Sequence, residues 1–174
     1  METGYFTTIQ HSPIGRLLLT ANNKALTGLY FYANDSSYIK RKKARHVEKN
    51  DLSIFKKAET QLEEYFAGKR TAFDIALVFD GTGFQKSVWN ALFTIPFGET
   101  ASYLQIADQI GNRDAVRAVG LTNGKNPISI ICPCHRVIGS NGKLTGYGGG
   151  LENKEWLLRH EGAWPKGPQQ TSLF

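Results

Sequence analysis

The sequence predicts an α+β chain in two parts. Three observations lead there: short β-rich runs broken by turn signals fill the beginning, helical periodicity dominates after Asp80, and a helix-turn-helix pattern is followed by a hairpin signal. At 174 residues the chain can bury a real core without disulfides or metals, as one large domain or two small ones. The first part begins as a meander. "YFTTIQ" from Tyr5, "RLLLTA" from Arg16 and "LTGLYFYA" from Leu26 read as strands, separated by the turn residues of "HSPIG" and "NNK". From Asp51, "DLSIFKKAETQLEEYFAG" places Ile54, Phe55, Ala58, Leu62, Tyr65 and Phe66 on one helical face, with Gly68 as the stop. "AFDIALVF" is predicted as one more strand and "DGTG" as the linker, giving domains 1–80 and 81–174, the second ending in a short polar tail over about 165–174.

In the second part, "FQKSVWNALFTI" sets Phe84, Val88, Trp89 and Leu92 on one helical face and stops before Pro96. "SYLQIADQIG" opens with Ser102 and Gln105 at capping-box spacing and closes on Gly111. After the short joint "GNR" a third helix is predicted from about Asp114 to Thr122. Two short helices joined by a tight turn describe a helix-turn-helix, whose second helix is the one presented to DNA. "RVIGSNGKLTG" then reads as strand, Asn141-Gly142 turn and strand, which makes the unit resemble a winged helix. A last helix, "LENKEWLLRHEG", is expected to bury Leu151, Trp156 and Leu157 and to end at Gly162.

Composition narrows the function. A net charge of +6, shared equally by the two halves, suits a polyanionic partner without requiring one. The dense run "KRKKAR", 40 to 45, reads either as a solvated face or as a phosphate-binding patch. No stretch has the roughly 20 apolar residues of a membrane span, and Met1-Glu2-Thr3 does not open a signal peptide, so the expectation is a soluble, intracellular, cytoplasmic protein with no membrane partner.

The stretch "SIICPCHRVIGSNGKLTGYGGG", 129 to 150, concentrates the chemistry. Cys132 and Cys134 are the only cysteines, and a C-x-C bridge would close a small strained ring, so both read as reduced. As zinc ligands, Cys132, Cys134 and His135 lack the usual spacing and a fourth partner; His11, His46 and His160 show no ligand spacing, and no metal is expected. Cys132 ends the apolar run "ISIIC" and fits a buried core thiol or a second, oxidisable one. Cys134, between Pro133 and His135, leaves the core and can meet a substrate. A free thiol is mostly protonated at neutral pH and needs a base. His135 is the candidate, but adjacent residues diverge, so a bridging water is the easier geometry. Glu161 can orient the imidazole or be an ordinary surface carboxylate.

"PCHRVIG" followed by "GYGGGLENKEWLLRHEG", with "FQKSVWNALFTIPFGETASYLQIA" and "AVRAVGLTNGKNP" before it, resembles the O6-alkylguanine-DNA alkyltransferases over about residues 84–162. The resemblance implies a ribonuclease-H-like first domain and a winged-helix-like second domain. It implies a DNA repair protein that flips O6-alkylguanine out of the duplex and transfers the alkyl group to its own Cys134, once per molecule. Acceptance of O4-alkylthymine is left open. Cys134 becomes the acceptor, His135 the base acting through water, Glu161 its orienter, Tyr103 the proton donor toward guanine N3, and Asn126 the brace of the turn before the active-site segment. Arg117 becomes the finger that fills the vacated stack in the minor groove, with Ala115, Ala118 and Gly120 allowing close approach and Tyr103 and Ser140 also touching DNA. Ser129, Val137, Tyr147 and Gly148 become pocket residues. No cofactor is implied; the partner is double-stranded DNA, and the protein is expected as a cytoplasmic monomer, nucleoid-associated on DNA. Gly148 stands where the family usually has alanine or serine, and Ser129 where some members have proline. Two rival classes remain: a non-enzymatic damage sensor, against which Cys134 itself argues, and a thiol hydrolase, which would turn over.

Overall fold

Short β-rich runs broken by turn residues form three strands in the computed structural model, which describes residues 4–32 and 44–164. β1 (Tyr5–Ile9) pairs antiparallel with β2 (Leu17–Ala21), Tyr5 facing Ala21 and Ile9 facing Leu17. β2 pairs antiparallel with β3 (Leu26–Phe31), with a register break at Thr20/Ala21. β4 (Arg45–His46) joins β1 in parallel, giving the order β3-β2-β1-β4. β2 is buried at every residue because it lies inside the sheet. α1 (Ser53–Phe66) packs on β2 and buries Phe55, Ala58, Leu62 and Tyr65, the face expected from periodicity. Gln61 is buried on the same helix because its amide closes both backbone groups of Asp74 at 2.8 and 3.1 Å.

The expected strand "AFDIALVF" does not form. Leu77 alone makes a bridge, parallel to Leu26, through Leu26 N–H to Ala76 O and Val78 N–H to Leu26 O. Pairing stops at that one bridge, and Val78 stays 44% exposed. Of the basic run, residues 40–43 lie outside the described residues. Arg45 is exposed in β4, its guanidinium 5.8 Å from the Tyr5 ring centre. The polar tail 165–174 also lies outside the described residues.

The chain divides into two units: Met1–Asp80 with Pro127–Ile131, and Gly81–Asn126 with Cys132–Phe174. In the second unit, α2 (Gly83–Leu92) starts inside the expected linker, because Thr82 and Gln85 form a capping box. It stops three residues sooner than the apolar pattern, since Thr94 and Ile95 bond back to Ala91 and Leu92 and tighten the last turn ahead of Pro96. β5 (Ala101–Ser102) leads into α3 (Tyr103–Gln109), where the expected Ser102–Gln105 capping box is present. The expected third helix is a 3₁₀ turn, Arg113–Ala115, followed by α4 (Val116–Gly124). Ala115 therefore sits before the presented helix and not on it.

The expected hairpin is also corrected. β6 (Val137–Ile138) pairs in parallel with β5, and no second strand follows the turn. A two-residue Asn-Gly turn needs left-handed φ at both positions. Here Gly142 is left-handed at φ +76° and Asn141 is not, so the turn runs through Ser140 and Asn141, closed by Gly142 N–H to Gly139 O and Gly139 N–H to Lys143 O. The wing is thus a loop. In α5 (Leu151–His160), Leu157 is buried as expected, with Lys154 and Leu158. Leu151 is exposed at the helix start. Trp156 is half-buried off the core face, its ring stacked on His160 at 4.9 Å.

Candidate active site

Residues 128–132 are buried throughout, as an apolar run should be, but they form no strand. Ile128 makes a single bridge to Leu29 within the first unit, through Leu29 N–H to Pro127 O and Ser129 N–H to Leu29 O. Ile131 N–H then reaches Ser129 O at 2.8 Å around Ile130, whose φ of +71° is unusual for a β-branched residue. Three residues on, Cys134 N–H reaches Cys132 O at 2.8 Å around Pro133 (φ −84°, ψ 61°), an inverse γ-turn set by the proline ring. Two tight turns in succession deliver Cys134 at the start of a 3₁₀ turn, Cys134–Arg136.

Around the thiol, Asn126 spans two groups. Its Nδ2 donates to Cys132 O at 2.8 Å and to Cys134 Sγ at 3.0 Å. Asn123, buried on α4, donates to Cys134 O at 3.3 Å. Burial pushes the Cys134 thiol up, while the Asn126 bond, the Lys154 charge and the Tyr147 hydroxyl pull it down. The resting group is a thiol that needs a base. Cys132 points elsewhere, its thiol donating to Trp89 O at 3.6 Å, and burial holds it well above the usual range.

His135 is fully buried, with Nε2 2.8 Å from Glu161 Oε1. Glu161 is the residue that ends α5, so helix and 3₁₀ turn meet at this pair. Arg136, which sequence reasoning did not single out, takes Glu161 Oε2 through Nε at 2.8 Å and Oε1 through Nη2 at 3.1 Å, while Nη1 donates to Ile95 O at 2.6 Å. Burial alone would raise the Glu161 carboxyl, but the His135 bond and the Arg136 guanidinium bring it down to about 2. Burial lowers His135, against the upward pull of Glu161, so the imidazole rests neutral. An ionised Glu161 accepts from Nε2–H. That leaves Nδ1, buried and without a hydrogen-bond partner among the described residues, as the basic nitrogen.

Lys154 was missed as well. It is wholly buried in α5, and its ammonium donates to Val137 O at 2.6 Å and Thr145 O at 3.0 Å; burial lowers it to about 8. A signal existed for these groups: Lys154, Leu157, Leu158 and Glu161 recur at helical spacing, so two charges occupy the apolar face of one helix. Among the described residues, no group of three or more His, Cys, Asp or Glu side chains could hold a metal ion.

The remaining expected residues divide by place. Val137 is buried in β6. Tyr147 is half-buried and Gly148 is exposed. Gly148 has no left-handed φ, and a Cβ there would meet only Gly124 O at 4.0 Å, so the backbone does not require glycine. Ser129 lies in the first unit. On α4, Arg117 and Ala118 are exposed and Gly120 is half-buried, where an added Cβ would touch the Tyr103 ring at 3.8 Å. Ala115 is half-buried in the 3₁₀ turn and Ser140 is exposed in the wing loop. Tyr103, the first residue of α3, accepts a hydrogen bond at its hydroxyl from Thr145 at 2.9 Å.

Two family models match the chain: the ribonuclease-like domain of 6-O-methylguanine DNA methyltransferase over residues 5–79, and the DNA binding domain of the same protein over residues 83–163. A methylated-DNA–protein-cysteine methyltransferase of Methanosarcina acetivorans is 52% identical, the match covering 89% of this chain and 97% of that one. Among solved structures, the O6-methylguanine methyltransferase of Mycobacterium tuberculosis is similar with a TM-score of 0.82 at 47% identity, covering 97% of this chain and 99% of that one. The M. tuberculosis protein in complex with DNA gives 0.81 at 49% identity over 91% and 93%. With both halves matched by one family's models and half the residues shared with a full-length relative, the chain belongs to the methylated-DNA–protein-cysteine methyltransferase family.

Proposed function

We propose that this protein repairs O6-alkylguanine in DNA by moving the alkyl group onto Cys134. The observation that carries the reading is the buried Cys134 thiol, hydrogen-bonded by Asn126 and followed by a neutral His135 whose partner is an ionised Glu161. The base accepts the Cys134 proton at Nδ1 through a water. The thiolate attacks the alkyl carbon, the S–C bond forms as the C–O6 bond breaks, and Tyr103 gives a proton toward guanine N3 as the leaving group gains charge. A thioether has no easy way back, so each molecule reacts once.

The substrate base lies inside a duplex and must be flipped out. Exposed Arg117, on the second helix of the helix-turn-helix, supports the role of a finger filling the vacated stack from the minor groove. Ala118 and Gly120 leave that helix slim; Ala115, Tyr103 and Ser140 complete the DNA-facing set, and Ser129, Val137, Tyr147 and Gly148 the pocket. Domains 1–80 and 81–174 divide the labour, the second carrying the chemistry. Among the described residues no helix is long and apolar enough to cross a membrane. A monomer in the cytoplasm, bound to the nucleoid while on DNA, fits this work.

The test is mass spectrometry after mixing the protein with a duplex containing O6-methylguanine. The tryptic peptide 126–136 holds both cysteines, so fragmentation must locate the change. One methyl on Cys134, none on Cys132, one per protein, and none in Cys134→Ser is the expected result. Repeated turnover, or an unmodified Cys134 after the lesion is lost, refutes it.

A further inference from the structure

His135 meets Glu161 in a fully buried place; burial disfavours the imidazolium, while the carboxylate beside it favours it. An imidazolium cannot accept a proton. The structure contains a third member that changes this balance. Arg136 engages both oxygens of the same carboxylate, Nε to Oε2 and Nη2 to Oε1, and is itself fixed by Ile95 O and by the Phe97 ring 5.9 Å from its guanidinium carbon. With a permanent cation already paired to Glu161, the buried cluster is neutral when His135 is neutral. Protonating His135 would put a net positive charge there.

We propose that Arg136 is a positioning residue that, by taking both Glu161 oxygens, keeps His135 neutral and able to accept the Cys134 proton. The charged groups that act on His135 are Glu161 and Lys154 from α5 and Arg136 from its own turn. Burial opposes the imidazolium first, Glu161 favours it, and Arg136 and Lys154 add to the opposition. Glu161 orients the ring and Arg136 prevents that orientation from making the base useless. The inference rests on the reading of His135 as the base.

Its test is the pH profile of methyl transfer at saturating protein, with the His135 titration followed by NMR. Four histidines are present, and His135→Gln assigns the signal. Arg136→Met removes the charge at similar volume; Arg136→Lys keeps a charge without the two-oxygen grip. In Arg136→Met the His135 midpoint is expected to rise by about one pH unit, so the rate at about one pH unit below the native midpoint falls about tenfold more than the rate at about pH 9. Arg136→Lys shifts the same way by less. A residue that only holds the fold would lower the rate equally at every pH and leave the midpoint in place, which overturns the inference. Should Arg136→Met fail to fold, an unmoved midpoint in Arg136→Lys overturns it. If His135→Gln transfers at the native rate, the reading of His135 as base fails instead, separately from any Arg136 result.

Discussion

Replacing Asn126 by alanine removes one amide that serves two acceptors, and the two losses can be read apart. The Cys132 carbonyl, buried and bonded at 2.8 Å, loses one of its two donors and keeps the Cys134 N–H, so the loss is that of one ordinary hydrogen bond, about 0.5–1.5 kcal/mol. For a chain of this size each kcal/mol is worth roughly 2–4 °C, so calorimetry should show Tm falling by roughly 1–6 °C. The Cys134 sulfur loses a donor at 3.0 Å that favours its thiolate, and the thiol, already raised by burial, rises further. A hydrogen bond to a charged group is worth about 1.5–3 kcal/mol, and the lower figure suits a diffuse sulfur. That is about a tenfold slower transfer in a single-turnover assay with O6-methylguanine duplex. Iodoacetamide titration should place the Cys134 midpoint above that of the native protein. A Tm drop with an unchanged rate and an unchanged thiol midpoint would refute the argument that Asn126 acts on sulfur.

Three further outcomes follow from the same geometry. Gly148→Ala is expected to stabilise the protein by about 0.4–1 kcal/mol, since its backbone is not left-handed and a Cβ has space; a destabilised variant in urea titration would show that the loop needs glycine after all. The Glu161 carboxyl is depressed from 4.5 to about 2, so its contribution is complete above pH 4.5 and lost as pH falls through about 2; Glu161→Gln should flatten that part of the stability curve, and an unchanged acid limb counts against the buried cluster. Arg117→Ala should slow repair in duplex DNA far more than attack on the free alkylated base, with the fold intact by circular dichroism, and equal losses would remove the finger role.

Local rules carried much of the fold. The β-rich runs and turn residues of β1 to β3, the Phe55–Leu62 face of α1 and the Ser102–Gln105 cap each depend on residues a few positions apart, and each is visible in the string. The misses are decisions made at long range. Val137–Ile138 chose β5, some 36 positions back, over the neighbour across the turn, so the hairpin signal misled. Arg136 and Lys154 look like surface charges until their partners, Glu161 25 residues away and Val137 17 residues away, are in place. The candidate site was legible in Cys134 and His135, because their residue types announce chemistry, whereas Glu161 read equally well as a surface carboxylate until the family resemblance gave it a role. The groups that set their protonation were not, because nothing local marks a cation that will be buried.

The chain passes between the two units three times, at Asp80/Gly81, Asn126/Pro127 and Ile131/Cys132, and the third passage comes two residues before Pro133. The span from Ile131 to Cys134 is three peptide units, at most roughly 10 Å of chain, and the Pro133 turn shortens it. The reactive sulfur is therefore on a short leash whose other end is stitched to the sheet unit through Leu29. Insertions or deletions that surface loops absorb easily have no slack to use between residues 127 and 134. The anchor of that leash, the Ser129 N–H on Leu29 O, lies five residues before the thiol in the chain, in a part of the sequence that supplies none of the reacting atoms.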